Sequence, residues 1–185
     1  MKVYKIDHDV SKYRALCNLE DDKGSTPSIT LDGSSLRDNW SEISLYSLHP
    51  KRPSPDFWHL WHISGGTAVA GALSNNVLEI IQQSAELLPL KYDNVELKLV
   101  NIVECIDVLN IDQCIWKPNL RLIGEPLRYV FHANRFTENS LFKIPETCRS
   151  SFYALERDGD PISEFKASVE AHKLKGLKFT EIWSS

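Results

Sequence analysis

Apolar and polar positions alternate at the start of the chain, where Tyr4 and Ile6 share one face of residues 2–6 and Val3 lies on the other. A period of two marks a half-buried strand, so a first strand is expected there. The same period runs from Val95 to Ile102. Val95, Leu97, Leu99 and Asn101 fall on one face, and Glu96, Lys98, Val100 and Ile102 on the other. Shorter apolar runs over 127–132, 141–144 and 151–155 predict further short strands. At the end, Leu177, Phe179, Glu181 and Trp183 alternate with Lys178, Thr180 and Ile182, which predicts a terminal strand.

The period lengthens at two places. Val77, Ile80, Ile81 and Ala85 follow helical spacing and predict a helix over 75–85, with Ser74 as N-cap and Pro89 forbidding continuation. Ile162, Phe165 and Val169 recur at i, i+3 and i+7. Asp160 offers a cap, Pro161 suits the first helical position, and Lys173 and Lys175 suit the C-terminal end. Gly176 fits a left-handed stop. Residues 36–46 carry Trp40, Ile43 and Leu45 in neither period. Three prolines within 48–56 make an extended connector and the one plausible lobe boundary, setting residues 1–50 apart within a single domain of 185 residues. Residues 65–71 are glycine-rich and read as a flexible turn. Two or three helices among mostly consecutive strands predict an α+β fold with a largely antiparallel sheet.

Composition changes this picture little. The chain is 42% hydrophobic and 25% charged, as an ordinary globular domain is. Its net charge of −4 argues against direct nucleic-acid binding. The four cysteines form no Cys-x-x-Cys pair and read as reduced thiols. Residues 57–78 carry no Asp, Glu, Lys or Arg, but their His, Gly, Ser, Thr and Asn argue against a bilayer span. No apolar signal core opens the chain, so the cytoplasm is the expected compartment and no membrane partner is expected.

Candidate chemistry is sparse. The densest aromatic cluster is Phe57-Trp58-His59-Leu60-Trp61-His62. Trp58 and Trp61 are candidate anchors for a partner, because Trp is enriched at binding hot spots, although Trp is usually well buried and completing the core is the more ordinary role for each. His59 and His62 have no third ligand nearby, so no metal site is expected. Glu20, Asp21 and Asp22 form an acidic loop that could face a basic groove on a partner. Asp107 and Asp112 lack an adjacent base. There is no Gly-x-Ser-x-Gly, no phosphate loop and no dinucleotide fingerprint. No catalytic set and no cofactor is therefore expected.

Several segments in order carry a resemblance. They are Pro55-Asp56-Phe57, then Ser74–Leu90 with its Glu86-Leu87-Leu88-Pro89-Leu90 exit, then Asn101-Ile102-Val103 with Cys105-Ile106-Asp107-Val108-Leu109. Tyr129-Val130-Phe131, Leu141-Phe142-Lys143-Ile144-Pro145 and Gly176-Leu177-Lys178-Phe179 with Ile182-Trp183 complete the set. In this order the chain resembles the Imm11 (DUF1629) family of bacterial polymorphic-toxin immunity proteins. Residues 149–161 depart from the family pattern, and the first fifty residues match only in a short opening strand. The resemblance implies a protein that is not an enzyme. It would bind and neutralise a cognate secreted toxin domain, a nuclease being one compatible class, by covering its active site. Trp58, His59, Trp61, His62, Glu20, Asp21 and Asp22 are the candidate toxin-binding residues. Two other classes compete: an interaction scaffold or regulatory module, and a small hydrolase. The hydrolase requires a concave polar pocket holding His59, His62 or Asp107.

Overall fold

The computed structural model describes residues 1–19, 29–61, 63, 65–116, 125–147 and 149–185. Two sheets organise them. The first is four-stranded and antiparallel, in the order β10 (Leu177–Ser184), β1 (Lys2–His8), β9 (Tyr153–Glu156) and β8 (Leu141–Phe142). The second closes on itself as a six-stranded barrel. Its strands are β2 (Ala15–Asn18), β3 (Ile43–Leu48), β4 (Phe57–Trp61), β5 (Thr67–Ala70), β6 (Ala85–Tyr92) and β7 (Val95–Ile102). Around the barrel they run β2-β3-β6-β7-β5-β4 and back to β2. Four of its six pairings are antiparallel, whereas β2/β4 and β3/β6 are parallel. The fold is α+β as the sequence indicates, but "largely antiparallel" holds fully only for the first sheet. Two α-helices, α1 (Asn75–Gln82) and α2 (Phe165–Ala171), and short 3-10 turns at Arg37–Asn39, Ala133–Arg135 and Pro145–Thr147 complete the described elements.

Alternation decides which side chain goes where. Trp58 and Leu60 on β4, Ala68 on β5, Leu88, Leu90 and Tyr92 on β6, and Leu97 and Leu99 on β7 fill the barrel. The opposite parity, including Phe57, Val69, Val100 and Ile102, packs outward against Val77, Ile80 and Ile81 of α1, Phe165 and Val169 of α2, and Tyr4 and Ile6 of β1. The other face of the antiparallel sheet buries Val3, Phe142, Tyr153 and Leu155 under Val108, Leu109, Tyr129 and Phe131. Small barrels have room for side chains alone, so this interior is a packed core.

The barrel end beside β6 and β7 is closed by polar groups. Glu86 accepts hydrogen bonds from Ser35 Oγ (2.5 Å), Leu36 N–H (3.0 Å) and Asn101 Nδ2 (3.0 Å). Burial alone would raise its pKa, but these donors hold it below the ordinary value. Nearby, buried Lys143 donates from Nζ to the carbonyl of Leu31. These bonds tie residues 31–36 to both sheets.

The structure departs from the sequence-based expectations in several places. The first helix ends at Gln82, and Ala85–Tyr92 is a strand that carries Pro89 within it. Pro89 is tolerated because its carbonyl takes the Trp40 indole N–H (2.9 Å) and β3 reaches β6 only at Leu90 and Lys91. Ser74 makes no side-chain cap, and its hydroxyl is buried without a partner. The second helix begins four residues after Pro161. Asp160 instead closes a turn, accepting from Ile162 N–H (3.0 Å) and Ser163 Oγ (2.8 Å), and Ile162 is 74% exposed. Lys173 (φ 54°), not Gly176, is the left-handed residue that follows α2. Gly176 (φ 113°) serves a close approach, since a Cβ there would lie 2.1 Å from the Phe57 carbonyl oxygen. Residues 127–132 form bridges rather than a strand, and 67–70 of the expected flexible turn are β5. Residues 1–50 contribute β1 to one sheet and β2 and β3 to the other.

Candidate functional site

Alternation along β4 separates the two tryptophans. In a strand, positions 58 and 61 point to opposite faces while 59 and 61 share one. Trp58 is therefore inside the barrel, 3% exposed, with its ring 5.6 Å edge-on to Tyr92 and the Arg14 guanidinium 6.0 Å from its centroid. That placement removes it as an interface anchor. Trp61 is 46% exposed on the outer surface and stands edge-on to His59 at 5.6 Å.

His59 and Trp61 border a cleft of about 290 Å³ where the end of β1 passes the barrel. The opposite wall is supplied by Asp7, His8 and Val10, with Gly65 and Ser150 at its base. His8 shares the Tyr4/Ile6 face, so the alternation that marks β1 also sends its imidazole towards the barrel. Its Nε2 is 2.9 Å from Thr67 Oγ1, and its ring centre is 5.0 Å from that of His59. The base is tight: a Cβ on Gly65 (φ 69°) would lie 2.3 Å from the Ser150 carbonyl oxygen.

Both imidazoles are driven towards neutrality. Burial pushes the His8 pKa down to about 3, with His59 alongside adding to the effect. Burial likewise lowers the pKa of His59, whose Nδ1 has no hydrogen-bond partner. Ser150 Oγ donates to the Thr147 carbonyl (2.8 Å) and Ser151 Oγ to Glu125 (2.5 Å), and Glu125 also holds Lys5 (2.7 Å). Among the described residues no serine hydroxyl is bonded to either histidine. His8 faces Thr67 Oγ1, and among the described residues no carboxylate is hydrogen-bonded to it to orient it as a base. Asp107 lies away from the cleft, 3.4 Å from Arg135. The concave pocket required of a hydrolase is present around His59, and among the described residues no Asp is paired with His8 or His59 there.

Among the described residues no group of three or more His, Cys, Asp or Glu could hold a metal ion. Of the candidate binding residues, the structure brings His59 and Trp61 together. His62 and the acidic loop of Glu20, Asp21 and Asp22 lie outside the described residues. Sequence reasoning missed His8 and Val10. The alternation of β1 carried a signal for His8, whereas nothing in the local pattern marks Val10. Neither a protein-family model nor a curated protein matches this chain. Among the described residues no helix is long and apolar enough to cross a membrane.

Proposed function

We propose that this chain is a binding protein, and that its partner is a cognate toxin domain which it neutralises by covering the toxin's active site. The observation that carries a binding role is Trp61. A large aromatic side chain is left half-exposed on a rigid strand, beside two concavities that it helps to line. Tryptophan in such a setting is the residue type most enriched among binding hot spots. The ordered resemblance to polymorphic-toxin immunity proteins supports the choice of a toxin as partner, by analogy.

The test is direct binding of the full chain to the C-terminal toxin domain encoded by its upstream genomic neighbour. A stoichiometric complex with Kd of about nanomolar or tighter is expected, since protection of the producing cell requires slow release. A folded toxin domain that does not bind refutes the immunity role and leaves an interaction module with another protein partner as the reading to pursue. Trp61→Ala should weaken the complex by more than about 1 kcal/mol, and an unchanged Kd would remove Trp61 as an anchor.

A further inference from the structure

Trp61 also lines a second concavity, at the end of the barrel where β2 begins and β3 ends. This groove of about 250 Å³ is formed by Val10, Ala15, Leu48, His49, Arg52 and Trp61. Besides Trp61 of β4, two chain segments build it, residues 10–15 and 48–52. Each charged side chain in them is a cation: Lys12, Arg14, Lys51 and Arg52. The carboxylates that flank these segments, Asp9 and Asp56, are engaged elsewhere, Asp9 by Ser11 and Lys178 and Asp56 by the Lys175 N–H. The fold brings the two segments together. Ala15 pairs with Leu48 across β2 and β3. Arg14 donates from its backbone N–H to Pro53 (3.2 Å) and from Nε to the Arg52 carbonyl (3.0 Å). Arg52 donates from Nη1 to the Val10 carbonyl (2.5 Å). Among the described residues none of the four cations forms an ion pair with a carboxylate. Lys12 and Lys51 are exposed and flank groove residues in the chain, Lys12 two residues after Val10 and Lys51 directly before Arg52, with Lys12 Nζ 5.3 Å from the Tyr13 ring centre.

We propose that this groove receives an extended acidic segment of the toxin, with one apolar side chain seated against Val10, Leu48 and Trp61 and flanking carboxylates facing Lys12 and Lys51. The proposal rests on the immunity reading for the identity of the partner. Both parts of the surface are used in this arrangement. The apolar floor gains by excluding water from Val10 and Trp61, both of which are partly exposed in the free chain. The cationic rim selects carboxylates and speeds encounter. A nucleic-acid backbone suits the groove less well. A phosphate pressed against Val10, Ala15 and Leu48 would lose water without gaining donors, and Arg14 and Arg52 already donate to backbone carbonyls.

Three full-length variants decide the matter against the same toxin domain at low and physiological salt. Lys12→Glu/Lys51→Glu reverses the rim, Val10→Asp spoils the floor, and Lys91→Glu reverses a charge near the pairing of β6 with the opposite end of β3. The rim and floor variants should each bind at least about tenfold more weakly, the rim variant mainly through slower association and with a smaller salt dependence. Lys91→Glu should match the wild type. Wild-type affinity in both groove variants overturns the proposal. If the wild type itself fails to bind a folded toxin domain, the immunity reading falls. The groove is then judged with the peptide Glu-Asp-Trp-Asp-Glu, its Lys-for-acid counterpart and a short single-stranded oligonucleotide, followed by the Trp61 indole NMR signal. A saturable shift with the acidic peptide alone sustains the groove's chemistry. A response to neither peptide, or to the oligonucleotide in preference, overturns it.

Discussion

Acid should unfold this protein through His8. The folded imidazole has its pKa pushed down to about 3, against 6.5 in the unfolded chain. A depressed base binds fewer protons folded than unfolded, so stability rises with pH across that interval and falls on acidification from 6.5 towards 3. Between pH 7 and about pH 4 the unfolded chain takes up a proton that folded His8 refuses, which at about 1.4 kcal/mol per pH unit amounts to about 3 kcal/mol. That is a large share of the roughly 5–15 kcal/mol that stabilises a domain. The groups facing His8 are His59 from β4 and Thr67 from β5, with Asp7 from its own strand at the rim of the cleft. His59, also depressed by burial, acts in the same direction. The assay is urea unfolding of the wild type and His8→Gln at both pH values. Gln keeps a polar group for Thr67 but cannot titrate. Asp9, Asp32 and Asp160, whose hydrogen bonds lower their pKa values, titrate in both proteins and cancel in the comparison. The wild type should lose about 3 kcal/mol more than His8→Gln over this range. Equal losses would refute a buried, neutral His8.

Other substitutions probe the framework around the cleft. Trp58→Ala should cost about 3–5 kcal/mol in denaturant unfolding because it empties the barrel interior, while Trp61→Ala should stay within about 0.5 kcal/mol. Gly176→Ala should destabilise by more than about 3 kcal/mol, since both the positive φ and the Phe57 carbonyl reject a Cβ, and its thermal midpoint should fall accordingly. Burial lowers the Lys143 pKa to about 8, below its ordinary 10.5, so stability should rise with pH above 8. Wild type should gain about 1.5 kcal/mol between pH 8 and 9.5, a gain that Lys143→Met should lack.

The elements most legible in the sequence are those whose pattern is local and uninterrupted. Val95–Ile102 and the β10 region stand out because alternation there runs for seven or more residues without a breaker. Ala85–Tyr92 was obscured because Ala85 extends the helical spacing of Val77, Ile80 and Ile81, and because Pro89 reads as a stop. Its alternation becomes visible only at Leu88, Leu90 and Tyr92, whose inward direction β7 and β3 enforce. The barrel itself was not legible. Its closure depends on β2 meeting β4 and β3 meeting β6 in parallel, pairings set by tertiary packing and not by any neighbouring residue. The site followed the same rule. Trp61 stands out in the sequence through the aromatic cluster at 57–62, but its separation from Trp58 requires knowing that residues 57–61 form a strand. The groove joins residues more than thirty positions apart, so no local window contains it.

The placement of Trp61 bears on how tightly such a surface can hold a partner. A side chain that must be immobilised on binding opposes the complex by about 0.5–1.5 kcal/mol, whereas one already held does not. Trp61 comes from a strand paired on one side with β5 and on the other with β2, whose Cys17 lies opposite it. Its ring stands at 90° to His59, and His59 in turn lies against His8. The buried, neutral imidazoles therefore serve as a buttress: protonation of either would place a charge in the wall that holds the anchor. Acid should accordingly loosen partner binding as well as the fold, and His8→Gln should shift both responses together. If acid weakened the complex equally in the wild type and in His8→Gln, the histidine pair would have no part in holding Trp61, and the stiffness of the anchor would have to come from the strand pairing alone.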